Sequence, residues 1–326
     1  VQASNFIQPL DDFLSTQDRP LTLSLAELQR FWRLPVQYFF NRRLKVYFDD
    51  GDARIEDDEP FVLNQLQSYM IRDELLTQML MARLTHQDEE LIVEKYLQSQ
   101  RAQGVLPVGA LGNIDFALNK EHNRALVDEL AHICRSPLED LEVNLDIDMP
   151  GETQPLILTG WLSNQFSSGM VRYRSGKIRS QDWLSAWIDH LCAALSGGHK
   201  ETHIVGYDKK NGVQHKVLQP VEKEQAYKWL SELIQLYYQG HNQPYPYLPR
   251  TALAGVEQLL KGKEDMQSKM SDCFNDGYLF SGEGSNSYIA RVWPEWNENL
   301  QKQVWISAQS VLLNVISNSR DAGEEQ

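Results

Sequence analysis

A chain of 326 residues, 42% of them apolar and 10% aromatic, is long enough for one large domain with a substantial core or for two modest ones. Its formal charge of -14 argues against an autonomous binder of duplex nucleic acid, because affinity for phosphate needs a basic surface, so any nucleic acid must meet a local patch. No run approaches the ~20 apolar residues of a membrane span, and the opening Val-Gln-Ala-Ser-Asn-Phe lacks the basic and apolar regions of a signal peptide; the cytoplasm, with no membrane partner, is the expected setting.

Beginning at Val1 without an initiator Met, the chain reads as a fragment of a longer polypeptide. Ser24-Leu25-Ala26-Glu27 is a capping box, in which hydroxyl and carboxylate satisfy free backbone N–H groups at a helix start. Pro35 either kinks that helix or begins a second one. Residues 59–84 and 87–103 read as helices, the first carrying Phe61, Leu63, Leu66, Met70, Leu75, Met79 and Leu80 near a helical period, a core stripe. A further helix is expected over about 119–135. After Pro137 the period becomes two, in Leu141-Glu-Val-Asn-Leu-Asp-Ile-Asp148, the mark of a half-buried strand with its carboxylates in water. Residues 155–162 and 169–174 supply two more strands, joined as a hairpin through Ser167-Ser168-Gly169. A helix over 181–195 follows, then strands 202–207 and 213–218 linked by Asp208-Lys-Lys-Asn-Gly212, where Asn-Gly is a strong turn signal. Helix 221–239 places Ala226, Leu230, Leu233, Ile234 and Tyr237 on one face and should end at Gly240 as its C-cap. Pro244-Tyr-Pro-Tyr-Leu-Pro249 breaks regular structure, helical segments resume over 251–275 and 299–317, and residues 321–326 should fray. There is no internal repeat, and the proline breaks near 137 and 244 read as loops rather than domain linkers.

Two basic clusters stand out against the acidic total: Arg42, Arg43 and Lys45 after the first helix, and Arg172, Arg174, Lys177 and Arg179, four cations in eight residues with no acid between them. Each is either a solvated face or a patch that meets phosphate. Cys134, Cys192 and Cys273 form no C-x-x-C pair and read as reduced, buried thiols. No two of the eight histidines pair on a helix as H-x-x-x-H, and His132 and His190 read as ordinary helix residues rather than ligands. Asp208 and Lys210 make a D-x-K, and Asp146 with Asp148 a carboxylate pair on one strand face, but such short patterns recur by chance and Asp208 sits in a turn. There is no G-x-x-x-x-G-K-[ST] loop, and Gly282-Glu-Gly284 is too short to cradle phosphates, so ATP binding is not expected.

The segment Gly169-Met-Val-Arg-Tyr-Arg-Ser-Gly-Lys177 resembles the metal-binding hairpin of RecB-type nucleases of the PD-(D/E)xK superfamily, which runs roughly Gly-x-(hydrophobic)-Val-Asp-Tyr-Lys-Thr-Gly-Lys. Arg172 stands in the carboxylate slot and Arg174 in the lysine slot. A guanidinium has no lone pair to donate and does not deprotonate in proteins, so a metal ligand has become permanent positive charge. The stretch from Leu23-Ser24-Leu25 through Leu34-Pro35-Val36-Gln37-Tyr38-Phe39-Phe40 resembles the opening helix of RecB/AddB nuclease domains, a "Ser-x-x-x-Leu … Cys-Pro-x-x-Phe-Phe" pattern. With Gly104-Val-Leu-Pro-Val-Gly-Ala-Leu-Gly112 and the helix Asp182-Trp-Leu-Ser-Ala-Trp-Ile-Asp-His-Leu191, these segments resemble the RecC C-terminal domain family, over most of the chain but faintly beyond about residue 250. Where iron–sulfur members carry Cys, this chain has Leu34 before Pro35, so no cluster is expected.

The resemblance implies an α/β, restriction-endonuclease-like fold: a mixed sheet of about five strands flanked by helices, its core over about residues 100–220, with helical segments 1–100 and 220–320 packed around it as one domain. An active nuclease of this type needs an early His, an Asp on one strand, an Asp or Glu with a following Lys on the next, and a Gln-x-x-x-Tyr helix. Its carboxylates hold Mg²⁺, which makes the attacking water nucleophilic. On that pattern Thr159-Gly-Trp-Leu-Ser163 puts Ser163 where Asp is expected, and the His falls near Asn113. With Asn113, Ser163, Arg172 and Arg174 in the four slots, the implied domain is catalytically dead and takes no metal or other cofactor.

The same resemblance implies a scaffold and DNA-guiding role in the RecBCD helicase-nuclease, exodeoxyribonuclease V, which acts in double-strand break repair and homologous recombination. RecB, RecD and DNA, mainly single-stranded, are the implied partners. Arg172, Tyr173, Arg174, Lys177 and Arg179, with Arg42 and Arg43, are the candidates for strand contact, since a single strand is held by cations along its phosphates and aromatic faces for its bases. Two other readings stay open: a metal-dependent nuclease with a migrated site at Asp208 and Lys210, and a purely protein-binding module. Trp229, Tyr237, Tyr238, Tyr245, Tyr247, Trp293, Trp296 and Trp305 divide between core and interface anchors.

Overall fold

The structure, a computed structural model, describes residues 22–48, 65–106, 110–198, 201–278 and 280–323; Phe61, Leu63 and the Pro107-Val108-Gly109 stretch lie outside the described residues. β1, Thr22–Ser24, leads directly into α1, Leu25–Arg33. Ser24 Oγ accepts from the Glu27 N–H at 3.2 Å, which is half of the expected capping box. The other half is not made. The Glu27 carboxylate instead takes Arg30 and the Tyr38 hydroxyl, each at 2.7 Å, and a charged donor is a stronger partner than a backbone N–H. Pro35 begins α2, Pro35–Tyr38, where its missing N–H costs nothing.

Three helices follow: α3, Gln65–Leu84; α4, Glu89–Ala102; and α5, Ala110–Ile133. α5 starts well before the expected residue 119, and its buried stripe includes two amides. Asn119 and Asn123 face α3, donating to Ser68 Oγ at 3.5 Å and to the Arg72 carbonyl at 2.7 Å.

The expected α/β architecture is present, with a difference in how the strands are shared. β2, Leu141–Ile147, pairs antiparallel with β3, Leu156–Leu162, and β1 lies parallel along the other edge of β3. A second, mixed sheet runs in the order β4, Gln165–Phe166; β5, Gly169–Tyr173; β6, Thr202–Asp208; β7, Gly212–Leu218; and β8, Ser319–Asp321. The Ser167-Ser168 turn therefore joins β4 to β5 and not β3 to β5. Asn164, at φ 56°, turns the chain out of the first sheet, and its carbonyl accepts from the Val171 N–H at 3.0 Å. α6, Ser180–Leu195, crosses from β5 to its parallel neighbour β6. The β6–β7 hairpin closes as the Asn-Gly signal predicts, with Gly212 at φ 77°.

Strand periodicity sorts the second sheet into two faces. Val171 and Val205 pack against Leu75, Met79 and Leu126 of α3 and α5, while Met170 and Ile204 pack toward α6, α1 and the helix after β7. That helix, α7, Lys223–Asn242, continues past Gly240. Gly240 is not its cap: a Cβ there would sit 2.4 Å from Phe31 Cζ, so the missing side chain lets α7 close on α1. α8, Pro249–Leu260; α9, Met266–Phe274; α10, Ser287–Val292; and α11, Glu298–Ala308 enclose a third apolar cluster with Phe39 and Phe40. After α12, Asn314–Ser317, the chain zips onto β7, and Asp321, expected to fray, pairs with Lys216 at 2.5 Å. Tyr237, Tyr238 and Tyr247 are core, whereas Trp229, Tyr245, Trp293, Trp296 and Trp305 are partly buried. Cys134 and Cys192 are buried free thiols. Among the described residues no helix is long and apolar enough to cross a membrane.

His190 of α6 stacks near Trp187, donates from Nε2 to the Gln219 carbonyl at 3.0 Å and accepts at Nδ1 from the Thr202 hydroxyl at 2.9 Å. Burial pushes it down to about 4, against the upward pull of the Gln219 carbonyl. An unfolded histidine titrates near about 6.5. Between about pH 6.5 and about pH 4 the unfolded chain therefore takes up a proton that the folded one refuses, and stability falls as pH falls. His122, also pushed to about 4 chiefly by burial, acts with the same sign. Urea denaturation across that window should show the loss, and His190→Gln should flatten its slope by up to ~1.4 kcal/mol per pH unit. An unchanged slope would mean that His190 titrates normally in the fold.

Candidate functional site

Met170 and Arg172 of β5 point toward α6, and Arg174, just past the strand, keeps the alternation because its N–H still bonds the Val205 carbonyl at 3.1 Å. Opposite them α6 presents Asp182 and Asp189, two helical turns apart on one face. Arg172 Nε donates to Asp189 Oδ2 at 2.8 Å, and its Nη1 donates to the carbonyls of Ser163 at 2.7 Å and Val171 at 3.2 Å. Arg174 Nη1 donates to Asp182 Oδ2 at 2.6 Å, and the same oxygen accepts from the Arg179 N–H at 2.8 Å, which fastens the start of α6. The result is a ladder of two ion-pair rungs between a strand and an antiparallel helix.

The inner rung is dry. The Asp189 side chain is 6% exposed and that of Arg172 22%, and Gln29 of α1 donates to the remaining Asp189 oxygen at 2.6 Å. Burial pushes the Asp189 carboxyl up, while Arg172 and Gln29 pull it down. Neither Asp189, Asp182 nor Gln29 is singled out by the sequence. A usable signal exists: acids at i and i+7 on a helix whose other inward positions, Trp183, Leu184, Trp187 and Ile188, are apolar, facing arginines at i and i+2 of a strand.

Three of the four positions aligned with a nuclease metal site come together here. Ser163 meets Arg172 through its carbonyl, and Arg172 and Arg174 line one cavity of about 340 Å³ with Asn164, Asp182 and Ser185. Asn113 does not join them; it is exposed on α5, where its Oδ1 accepts from Arg101. Each cavity carboxylate that pairs with an arginine has that charge already balanced, and among the described residues no group of three or more His, Cys, Asp or Glu is assembled for a metal. Asp208 accepts from the N–H groups of Lys210 at 2.8 Å and Asn211 at 3.2 Å, which hold its carboxyl below the usual range. It closes the turn. Asp146 and Asp148 are exposed at the end of β2.

Of the cations proposed for strand contact, Lys177 and Arg179 are exposed, whereas Tyr173 packs toward α3 and Arg42 lies 3.4 Å from Glu27. Arg43 is half-buried. The structure adds cations that the sequence did not flag for strand contact. A neighbouring cavity brings Arg72 of α3 and Lys209 and Lys210 of the β6–β7 turn beside Arg174, Lys177 and Arg179.

Residues 20–260 match the model of the RecC C-terminal domain. The chain is similar to the RecBCD enzyme subunit RecC of Escherichia coli, 29% identical over 321 residues that cover 95% of this chain and 26% of that protein. It is also similar to the subunit of the same name from Buchnera aphidicola, 24% identical over 91% of this chain and 27% of that protein, and from Haemophilus influenzae, 26% identical over 67% and 18%. The chain thus spans about a quarter of the length of the first of these curated relatives.

Truncating one member of a buried ion pair strands the other charge, at a cost of roughly 3–5 kcal/mol, while replacing both with apolar groups is often neutral. Asp189→Ala should lower the unfolding free energy obtained from urea denaturation by an amount in that range, and the double change Arg172→Met with Asp189→Leu should restore most of it. Equal losses in the single and double variants would show that the pair does not act as a unit.

Proposed function

The chain belongs to the RecC C-terminal domain family, and from that premise we propose that it is a non-catalytic, nuclease-like scaffold of a RecBCD-type helicase-nuclease. The observation that carries this reading is the occupation of the expected metal position by Arg172 and Arg174, each paired to a carboxylate of α6. A divalent cation brought there would meet two guanidinium groups, against which the Asp73 carboxylate, engaged by the Ser175 N–H, is the one lining acid outside an ion pair among the described residues; like charges at such range repel strongly in a partly buried site. The reading takes the fold as one restriction-endonuclease-like domain, with its core over about residues 100–220 and the flanking helices closing around it. The D-x-K alternative is disfavoured because Asp208 is engaged by its own turn.

In this proposal the parent assembly is an exodeoxyribonuclease V that processes double-strand breaks for recombinational repair in the cytoplasm. The domain holds RecB-like and RecD-like subunits in register and guides a single strand past the exposed Lys177 and Arg179. The partly buried Trp293, Trp296 and Trp305 are suited to act as anchors at a protein interface, where a few large side chains dominate.

Two experiments test the reading. Purified protein incubated with linear and single-stranded DNA in Mg²⁺ or Mn²⁺ should leave both intact, and degradation abolished by Asp208→Asn would establish the migrated site instead. Deleting this domain from the complete subunit should release the RecD-like partner on co-purification; its retention at normal stoichiometry would refute the assembly role.

A further inference from the structure

The cavity on the α3 and α5 side of the sheet, about 530 Å³, has a charge balance opposite to that of the whole chain. Arg72, Arg174, Lys177, Arg179, Lys209 and Lys210 line it, and Asp208 is the sole acid among its lining residues. Asp208 lies 3.9 Å from Lys177 but is fastened to its turn, and Asp182 answers Arg174 from the neighbouring cavity. Arg72 makes no ion pair among the described residues.

Arg72 and Arg174 flank one aromatic ring, and for Arg72 that ring stands in place of a counter-ion among the described residues. The guanidinium carbons of Arg174 and Arg72 lie 5.2 Å and 5.9 Å from the centre of the Tyr69 ring. Their Nε–H donors are both buried without a hydrogen-bond partner. A buried donor left unmade is costly, so two such donors beside one cavity mark an arrangement that an anionic ligand would relax. His122 rests against the Tyr207 ring at 3.7 Å between centroids, and burial, then the Arg72 charge, keep it neutral. Gly176 adjoins both Arg174 and Tyr69, its Cβ position lying 3.6 Å from Arg174 Nε and 3.7 Å from Tyr69, ordinary contact distances.

We infer that this cavity is an oxyanion site that takes a phosphate group, bound by the guanidinium groups of Arg72 and Arg174 with Lys209 and Lys210 closing over it from the β6–β7 turn. Arginine forks match the oxygens of a phosphate, and a group carrying more than one negative charge answers a cluster that one carboxylate leaves in excess. Tyr69 and Tyr207 beside the cations offer faces for a base attached to that phosphate. The site is separate from the position aligned with the nuclease metal, and it does not rest on the scaffold reading, since inorganic phosphate alone probes it.

The test is titration of the complete protein with inorganic phosphate, followed by competition with an oligothymidylate carrying or lacking a 5′-phosphate. Phosphate should bind saturably, Arg72→Gln should weaken it at least ~10-fold, Lys209→Gln with Lys210→Gln at least ~3-fold, and Arg72→Lys should recover part of the loss through charge alone. Competition by both oligonucleotides identifies the ligand as an internal diester. Competition by the phosphorylated one alone identifies a strand end, and by neither a free phosphate; each supports the site. Unchanged affinity in Arg72→Gln and in the double lysine variant would overturn it, as would displacement by polyglutamate as effective as by phosphate. The lysine pair lies in an exposed turn, so that variant keeps the test alive if Arg72→Gln fails to fold. Loss of phosphate binding with partner assembly intact would leave the scaffold reading standing, and the reverse result would leave this site standing.

Discussion

The buried Arg172–Asp189 pair, closed by Gln29, is the constraint on which the arrangement of layers depends. A guanidinium placed on the inward face of β5 cannot be left among apolar side chains, because an unpaired charge there costs far more than a folded domain has to spare. α6 must therefore lie where Asp189 reaches it, and α1 where Gln29 reaches the second oxygen. Arg174 and Asp182 repeat the demand about 7 Å further along the strand and about 10 Å back along the helix, which fixes both direction and register. Pairs of this kind contribute little net stability against well-packed hydrophobes. Their effect is on which packing is permitted, since any other register of α6 would bury a charge alone.

The opposite face of the same sheet is organised differently. Val171 and Val205 meet Leu75, Leu76, Met79, Leu126 and Leu130, side chains that would tolerate a shift of a helix by a fraction of a turn. What pins α3 there is polar: the Asn123 amide of α5 on the Arg72 carbonyl, and Asp73 accepting at 3.1 Å the N–H of Ser175, just past β5. Arg72 also lines the basic cavity. The sheet thus carries a charge ladder satisfied from within on one side and an excess of cations on the other, with Arg174 at the strand end belonging to both.

Local signals in the sequence were reliable wherever the interaction that decides the structure is itself local. Asn211-Gly212 sets the β6–β7 turn, Pro35 opens α2, and alternation marks β2 and β5, all within a few residues. The errors arise where a distant contact decides. Gly240 has the look of a helix cap, but Phe31 from far up the chain requires its bare Cα. Residues 155–162 and 169–174 have hairpin spacing, yet β3 finds β1 and β2 while β5 finds β6. At the site, Ser163 lies beside Arg172 because Asn164 turns the chain from the end of β3 toward β5. Asp189 and Arg72 stay hidden because their significance lies in partners that only the fold supplies.

The chain's acidity and its basic cavity are compatible because electrostatic reach is short. At physiological ionic strength the Debye length is about 8 Å, so a ligand inside a cavity lined by six cations and one acid responds to those groups and hardly to the -14 total. The acidic majority acts in the opposite sense at its own places on the surface, opposing non-specific adhesion of nucleic acid there. A strand delivered by another part of an assembly would then be held at one place and repelled elsewhere. That behaviour serves guidance better than a uniformly basic surface, on which a polyanion would stick wherever it landed. Within the ladder Arg172 is neutralised by Asp189, whereas Arg72 in the basic cavity has no such partner among the described residues.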